Sequence, residues 1–231
     1  MTLAPQDAVL LQGAQALGLR LSDSTRDRLL SYLDLLLKWN KVYNLTALRD
    51  PDQVLTHHLL DSLSLLPPLL KHTQGQPAEV LDVGSGGGLP GVVLAICQPE
   101  LEVTCVDAVA KKTAFVQHVA ASLGLPNLHP VHSRVENLTG QWPLITSRAF
   151  ATLADFAQCS ASVLAPGGCW LAMKGKHPHA ELAELSPEVS VFHVEPLTVP
   201  GLDAQRCLVW MRKSSSTGSV AVPGTGGSQS A

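Results

Sequence analysis

A chain of 231 residues is long enough for one α/β domain with an appendage and a sizeable core. Hydrophobic residues make up 45% and charged residues 15%, which excludes a disordered chain, and no apolar run approaches the ~20 residues a membrane span needs. The net charge of −3 gives no global signature of nucleic-acid binding, although a local basic patch would suffice for it.

Residues 1–75 read as a helical extension. The spacing predicts a helix over 6–17 and a stronger one over 24–42, where Leu29, Leu30, Leu33, Leu36 and Leu37 form one stripe. Asp50 and Pro51 suit the cap and first position of a third helix. Its apolar face is Leu55, Leu59, Ser62, Leu63 and Leu66, and Pro67-Pro68 is expected to stop it.

Residues 76–213 alternate between strand and helix patterns. Strands are expected at 79–83, 101–106, 128–132, 143–147 and 168–173. Helices are expected at 90–97, 110–123, 152–163 and 178–185, with Gly124 just past the second of them. This alternation predicts a mainly parallel sheet with helices on both faces. Two further apolar runs, 189–194 and 207–211, read as an antiparallel pair closing the sheet. Residues 214–231 are rich in Ser, Gly and Thr and read as a disordered tail.

The five cysteines (Cys97, Cys105, Cys159, Cys169 and Cys207) are scattered and form no C-x-x-C pair. They read as free thiols in a reducing compartment, with no metal site among them. No charged segment followed by an apolar core opens the chain, so a cytoplasmic protein is expected.

The richest stretch is EVLDVGSGGGLPG, residues 79–91. A strand ends in Asp82, breaks into Gly84, Ser85, Gly86, Gly87 and Gly88, and Leu89-Pro90-Gly91 opens a helix. Such a loop offers bare backbone and free amides to a cofactor at a helix N-terminus. Gly86 to Gly91 satisfies G-x-G-x-x-G, so a dinucleotide fits the pattern. S-adenosylmethionine (SAM) also fits, since a carboxylate at Asp82 repels a diphosphate but helps to hold an ammonium. Alternatively, Asp82 caps the loop's own amides.

The second strand ends in Asp107, placed to accept from ribose hydroxyls, or else to cap the next helix. After the third strand, Val135 and Glu136 border the same crevice and suit an adenine ring, or else Glu136 is a plain surface acid. The fourth strand ends in Ser147-Arg148, where Arg148 can hold an anionic or nucleobase group bidentately or pair with Asp107 or Glu136. The fifth, entered through Pro166-Gly167-Gly168, runs into Lys174-Gly175-Lys176-His177, a cationic cluster that is either a solvated loop or a phosphate contact suited to RNA. Trp39 to Thr46 mixes aromatics, amides and Lys41, which suits RNA stacking or anchors a helix. His57 and His58 precede Asp61 by four and three residues, so either can touch it on a helix.

With these segments in hand, the chain resembles the RsmG (GidB) family of ribosomal RNA methyltransferases. The matching stretches are KWNKVYNLTALRDP, HHLLDSL, LDVGSGGGLPG, the Asp107 strand end, SRVEN, SRAFATL and MKG. The resemblance implies a Rossmann-like SAM-methyltransferase fold. That is an α/β, mostly parallel seven-stranded sheet with its last strand antiparallel and a small N-terminal helical extension. It implies methylation of guanine N7 in 16S rRNA, in a hairpin loop near the decoding centre, by an enzyme whose loss is linked in the family to low-level streptomycin resistance. It also implies that Gly84, Leu89, Val135, Glu136 and Arg148 lie against SAM. Asp82, Ser85, Gly86, Gly88 and Asp107 complete the expected cofactor set. Arg148 and Lys174 are expected to position substrate, and Asn44, His58, Ser147, Lys174 and Lys176 to meet RNA. A monomer acting on the 30S subunit or an assembly intermediate is expected. The competing readings are an NAD-linked oxidoreductase, a SAM enzyme for a small molecule, and a non-catalytic RNA-binding module.

Overall fold

The computed structural model describes residues 5–148, 150 and 152–214. Most of the expected tail, residues 215–231, lies outside the described residues, as do Ala149 and Ala151 of the SRAFATL segment.

The N-terminal part begins with helices α1 (Pro5–Ala16) and α2 (Asp23–Tyr43). Ser22 caps α2 by accepting from the Thr25 N–H, and Leu29, Leu33 and Leu36 are buried along one stripe. The expected third helix is instead a series. Asp50 caps α3 (Pro51–Val54), a π-helix follows over Leu55–Leu60, and then come α4 (Asp61–Leu63) and α5 (Leu66–Thr73). Pro67 and Pro68 do not stop a helix here; they sit in the first turn of α5. The first turn lacks intrahelical N–H partners anyway, so proline costs nothing there.

The rest alternates as expected: β1 (Ala78–Val83), α6 (Gly91–Cys97), β2 (Leu101–Asp107), α7 (Ala110–Leu123), β3 (Leu128–His132) and a 3-10 turn at Val135–Asn137. Then come β4 (Trp142–Arg148), α8 (Leu153–Ser160), a 3-10 turn at Ala161–Val163, β5 (Leu164–Lys174), α9 (His179–Ala183), β6 (Val189–Pro196) and β7 (Cys207–Lys213). The Pro166-Gly167-Gly168 turn is a bulge inside β5. Trp142 pairs with Leu164 and Leu144 already pairs with Cys169.

The seven strands lie in the order β3-β2-β1-β4-β5-β7-β6. All neighbours up to β5 are parallel, and β7 is antiparallel to both β5 and β6. Strand alternation splits the core. Val80, Val103, Leu144 and Leu171 face the layer built by α2, the π-helix, α6 and α7, in one cluster running from Leu10 to Trp210. Leu81, Val83, Ile145 and Trp170 face α8 with Phe156. The helices before β1 therefore share a core with the sheet, and α2 lies over the start of α6.

Candidate active site

The carboxyl ends of β1, β2 and β4 meet the glycine loop, where open α/β sheets bind ligands. The loop is tightly self-bonded. The N–H groups of Gly84 and Ser85 donate to the Val106 carbonyl at 2.9 and 3.2 Å, and those of Gly88 and Leu89 donate to the Ser85 carbonyl at 2.8 and 3.0 Å. The Gly86 N–H donates to Asp107 Oδ2 at 2.9 Å. The expectation of free loop amides is therefore corrected for these five donors, which are spent on holding the turn; what the glycines present is a surface without side chains. Gly88 (φ +86°) must be glycine, since a Cβ there collides with Val92.

Asp82 is fully buried on the α6 side of the sheet. Its Oδ2 accepts from the Gly91 N–H at 2.8 Å, which caps α6 from within, and Oδ1 has no partner. Burial pushes this carboxyl up to about 7, against the pull of the Gly91 N–H and the Arg148 charge. Asp107 accepts from Gly86 N–H through Oδ2 and from Val109 N–H through Oδ1 at 2.8 Å, with Lys112 Nζ 3.7 Å away.

Beside them lies a cleft of about 210 Å³, lined by Gly84, Val106, Asp107, Ser133, Val135, Glu136 and Phe150 among others. Its walls at Val83, Val106, Val135 and Phe150 are apolar, and carboxylates stand at Asp107 and Glu136. This combination suits a flat heterocycle with a hydroxylated sugar. The unpartnered Asp82 Oδ1 is an acceptor held close beneath the loop, as a cationic end group requires. These residues fit SAM. A larger cavity of about 1060 Å³ lies between α8, α9 and the β6–β7 edge, lined by Trp170, Glu184 and Val189. It touches neither the glycine loop nor the ends of β1 and β2, so it is set aside as the reaction site.

Arg148 leaves the end of β4 toward the N-terminal helices. It pairs with Asp61 Oδ2 at 3.0 Å, not with Asp107 or Glu136, and donates to the His57 carbonyl at 2.9 Å. Neither His57 nor His58 bonds Asp61 through its ring. His58 Nε2 pairs with the Thr46 hydroxyl, and its Nδ1 lies 3.3 Å from Arg148 Nη1. Burial first, and the Arg148 charge second, pull His58 down to about 4, so it is neutral at pH 7.

Lys174 is tied to Glu181 of α9 at 2.8 Å. Lys176 is exposed just beyond it. Asn44 ends α2 in the left-handed conformation, with its Oδ1 accepting from Arg49. Ser147 is buried, its hydroxyl donating to the Val83 carbonyl at 2.8 Å, so it supports the site from below. Trp39 lies against Phe115, His118 and Tyr43, so these aromatics anchor α2 on α7.

Three residues that the sequence reading passed over shape this site. Tyr32, fully buried within the leucine stripe of α2, donates its hydroxyl to the Gly87 carbonyl at 2.6 Å. A polar group on an apolar stripe was the signal for it. Phe150 walls the cleft, and Arg206 grips Asp61 Oδ1 at 2.8 Å with no sequence signal at all.

This strand order, with one antiparallel strand and a glycine loop after β1, defines a Rossmann-like methyltransferase; the dinucleotide fold has the order 3-2-1-4-5-6. The chain belongs to the GidB family, rRNA small subunit methyltransferase G, whose profile matches residues 25–209. It is 61% identical over 211 residues to a ribosomal RNA small subunit methyltransferase G of Acidovorax sp. (strain JS42), covering 88% of this chain and 93% of that one. A protein of the same description from Leptothrix cholodnii is 57% identical over 214 residues, covering 92% and 98%. In fold, the chain is similar to the Thermus thermophilus 16S rRNA N2 methyltransferase RsmC, solved with AdoMet and guanosine. That match has a TM-score of 0.50 at 23% identity and covers 67% of this chain and 43% of that one.

Proposed function

We propose that this protein transfers a methyl group from SAM to N7 of one guanine in 16S rRNA, in a hairpin loop near the decoding centre. The observation that carries this reading is the cleft between the glycine loop, Asp107 and Val135–Glu136, which lies wholly inside the region matched by the family.

In this reading Gly84 and Leu89 shape the floor, Val135 and Glu136 meet the purine, Asp107 takes the sugar, and Asp82 stands behind the charged end. Bound there, SAM supplies an electrophilic methyl group. Guanine N7 carries an in-plane lone pair and no proton, so no side chain has to act as a general base. Holding the acceptor in line and excluding water is the task left to the protein. Arg148 and Lys174, both fixed by carboxylates, are suited to that task, and in this reading Arg148 also lies against SAM. Phe150 shields the cleft from solvent.

The substrate is assigned as the 30S subunit or an assembly intermediate, with the protein acting as a monomer in the cytoplasm. Among the described residues no helix is long and apolar enough to cross a membrane. Nucleoside mass spectrometry of 16S rRNA from cells with and without the protein tests the reading. Loss of 7-methylguanosine at the loop supports it, and an unchanged level overturns it.

A further inference from the structure

The π-helix at Leu55–Leu60 changes which backbone groups are used. The Asp61 N–H goes to the carbonyls of Thr56 and His58, bypassing that of His57. The His57 carbonyl instead accepts from Arg148 Nη1 at 2.9 Å. Such π-turns often occur at functional sites, because the extra residue frees a carbonyl and turns the next side chains. The side chain after this turn is Asp61, only 3% exposed.

Its two oxygens hold two different guanidinium groups. Oδ2 accepts from Arg148 Nη1 at 3.0 Å and Oδ1 from Arg206 Nε at 2.8 Å. A buried carboxylate between two cations orients both, and its removal leaves two like charges uncompensated, whereas loss of either arginine leaves a matched pair free to shift. Arg148 is thus anchored twice through one nitrogen, by Asp61 and by the His57 carbonyl. Arg206 ends the segment joining β6 to β7, where its neighbour Gln205 contributes a carbonyl to the same guanidinium at 2.9 Å.

We propose that Asp61 is a positioning residue that sets the Arg148 guanidinium for the cofactor and, through its second oxygen, ties that setting to Arg206 and the β6–β7 connection. This rests on the reading of Arg148 as a cofactor contact. Asp61 does not line the cleft, so in this proposal its influence on binding runs through Arg148.

The test is calorimetric titration of S-adenosylhomocysteine into wild type, Asp61→Asn, Arg206→Gln, Arg148→Ala and the two double variants built on Arg148→Ala. Melting curves are recorded for each. Asp61→Asn is expected to raise Kd about tenfold, and Arg206→Gln several-fold, with neither adding to Arg148→Ala. Wild-type Kd in both single variants, even with a lowered melting temperature, overturns the inference and leaves a structural role only. So does a loss that persists in full when Arg148 is already absent. Should Asp61→Asn fail to fold, Arg206→Gln decides alone by the same criterion. A wild-type protein that binds no S-adenosylhomocysteine overturns the cofactor reading as well. One that binds it and methylates 30S subunits, with unaffected variants, overturns this inference only.

Discussion

The Tyr32 hydroxyl donates to the Gly87 carbonyl at 2.6 Å, bridging the N-terminal helices to the glycine loop. Leu36, one turn further along α2, also packs against Gly87, so a Cβ there would displace its terminal methyl group. The loop is thus held from outside by α2 as well as by its own bonds. Tyr32→Phe leaves a buried carbonyl without its donor while keeping the ring packed. It is expected to cost about 1–3 kcal/mol in urea unfolding and to weaken S-adenosylhomocysteine binding. Unchanged stability and affinity would mean that the loop needs no support from α2.

Asp82 makes stability depend on pH in a definite direction. Its carboxyl lies at about 7 in the fold against an ordinary 3.8, chiefly because it is buried. Between those values the native chain keeps a proton that the unfolded chain gives up. Stability from this group therefore falls as pH rises through the window and is level above it. Asp82→Asn removes that fall. The stability of the variant relative to wild type is expected to improve from pH 4 to pH 8 by up to about 4 kcal/mol, read from urea midpoints. An identical difference at both pH values would show that Asp82 is ionised throughout.

Much of this architecture was legible because the strands announce themselves. Val80 to Val83, Val103 to Val106 and Ile145 carry the period and the β-branched residues of buried strands, and β6–β7 was read correctly as an antiparallel pair. The glycine loop and Asp107 stood out because their spacing matches a ligand crevice. Three features were not legible. Pro67 and Pro68 look the same whether they end one helix or begin the next. The π-helix has no sequence pattern, since one extra residue per turn changes hydrogen bonding without changing composition. The partners of Asp61 come from 87 and 145 residues away, so only the folded sheet brings them together.

Gly91 and Gly124 separate crowding from backbone strain. At Gly91 a Cβ would press on Cys105 Sγ and come within 2.8 Å of Asp82 Oδ2, inside the packed start of α6. At Gly124 nothing stands within 4 Å, and only the left-handed backbone (φ +60°) resists a side chain. Gly124→Ala is expected to cost about 1–2 kcal/mol. Gly91→Ala should cost more, on the order of 3 kcal/mol, because neither the sulfur nor the carboxylate can withdraw in a full core. It should also abolish cofactor binding by displacing Asp82. Equal costs in thermal melts would show that the α6 start yields easily.

Four cations at or near the cleft already have partners, whereas Arg134 on its wall has no salt-bridge partner among the described residues. Lys112 faces Asp107 at 3.7 Å, Lys174 faces Glu181 at 2.8 Å, and Arg148 and Arg206 share Asp61. A phosphate must compete with those carboxylates, which leaves few contacts that release counterions. Lys176, exposed beside the mouth, likewise has no salt-bridge partner among the described residues, so it and Arg134 are the ready phosphate contacts. Binding to 30S subunits is therefore expected to weaken with salt at a log–log slope of about −3 or shallower, against about −10 for strongly basic binders. Lys176→Ala should flatten that slope by about 1 without altering S-adenosylhomocysteine affinity. A steep slope unaffected by Lys176→Ala would place the RNA on another, more basic face of the molecule.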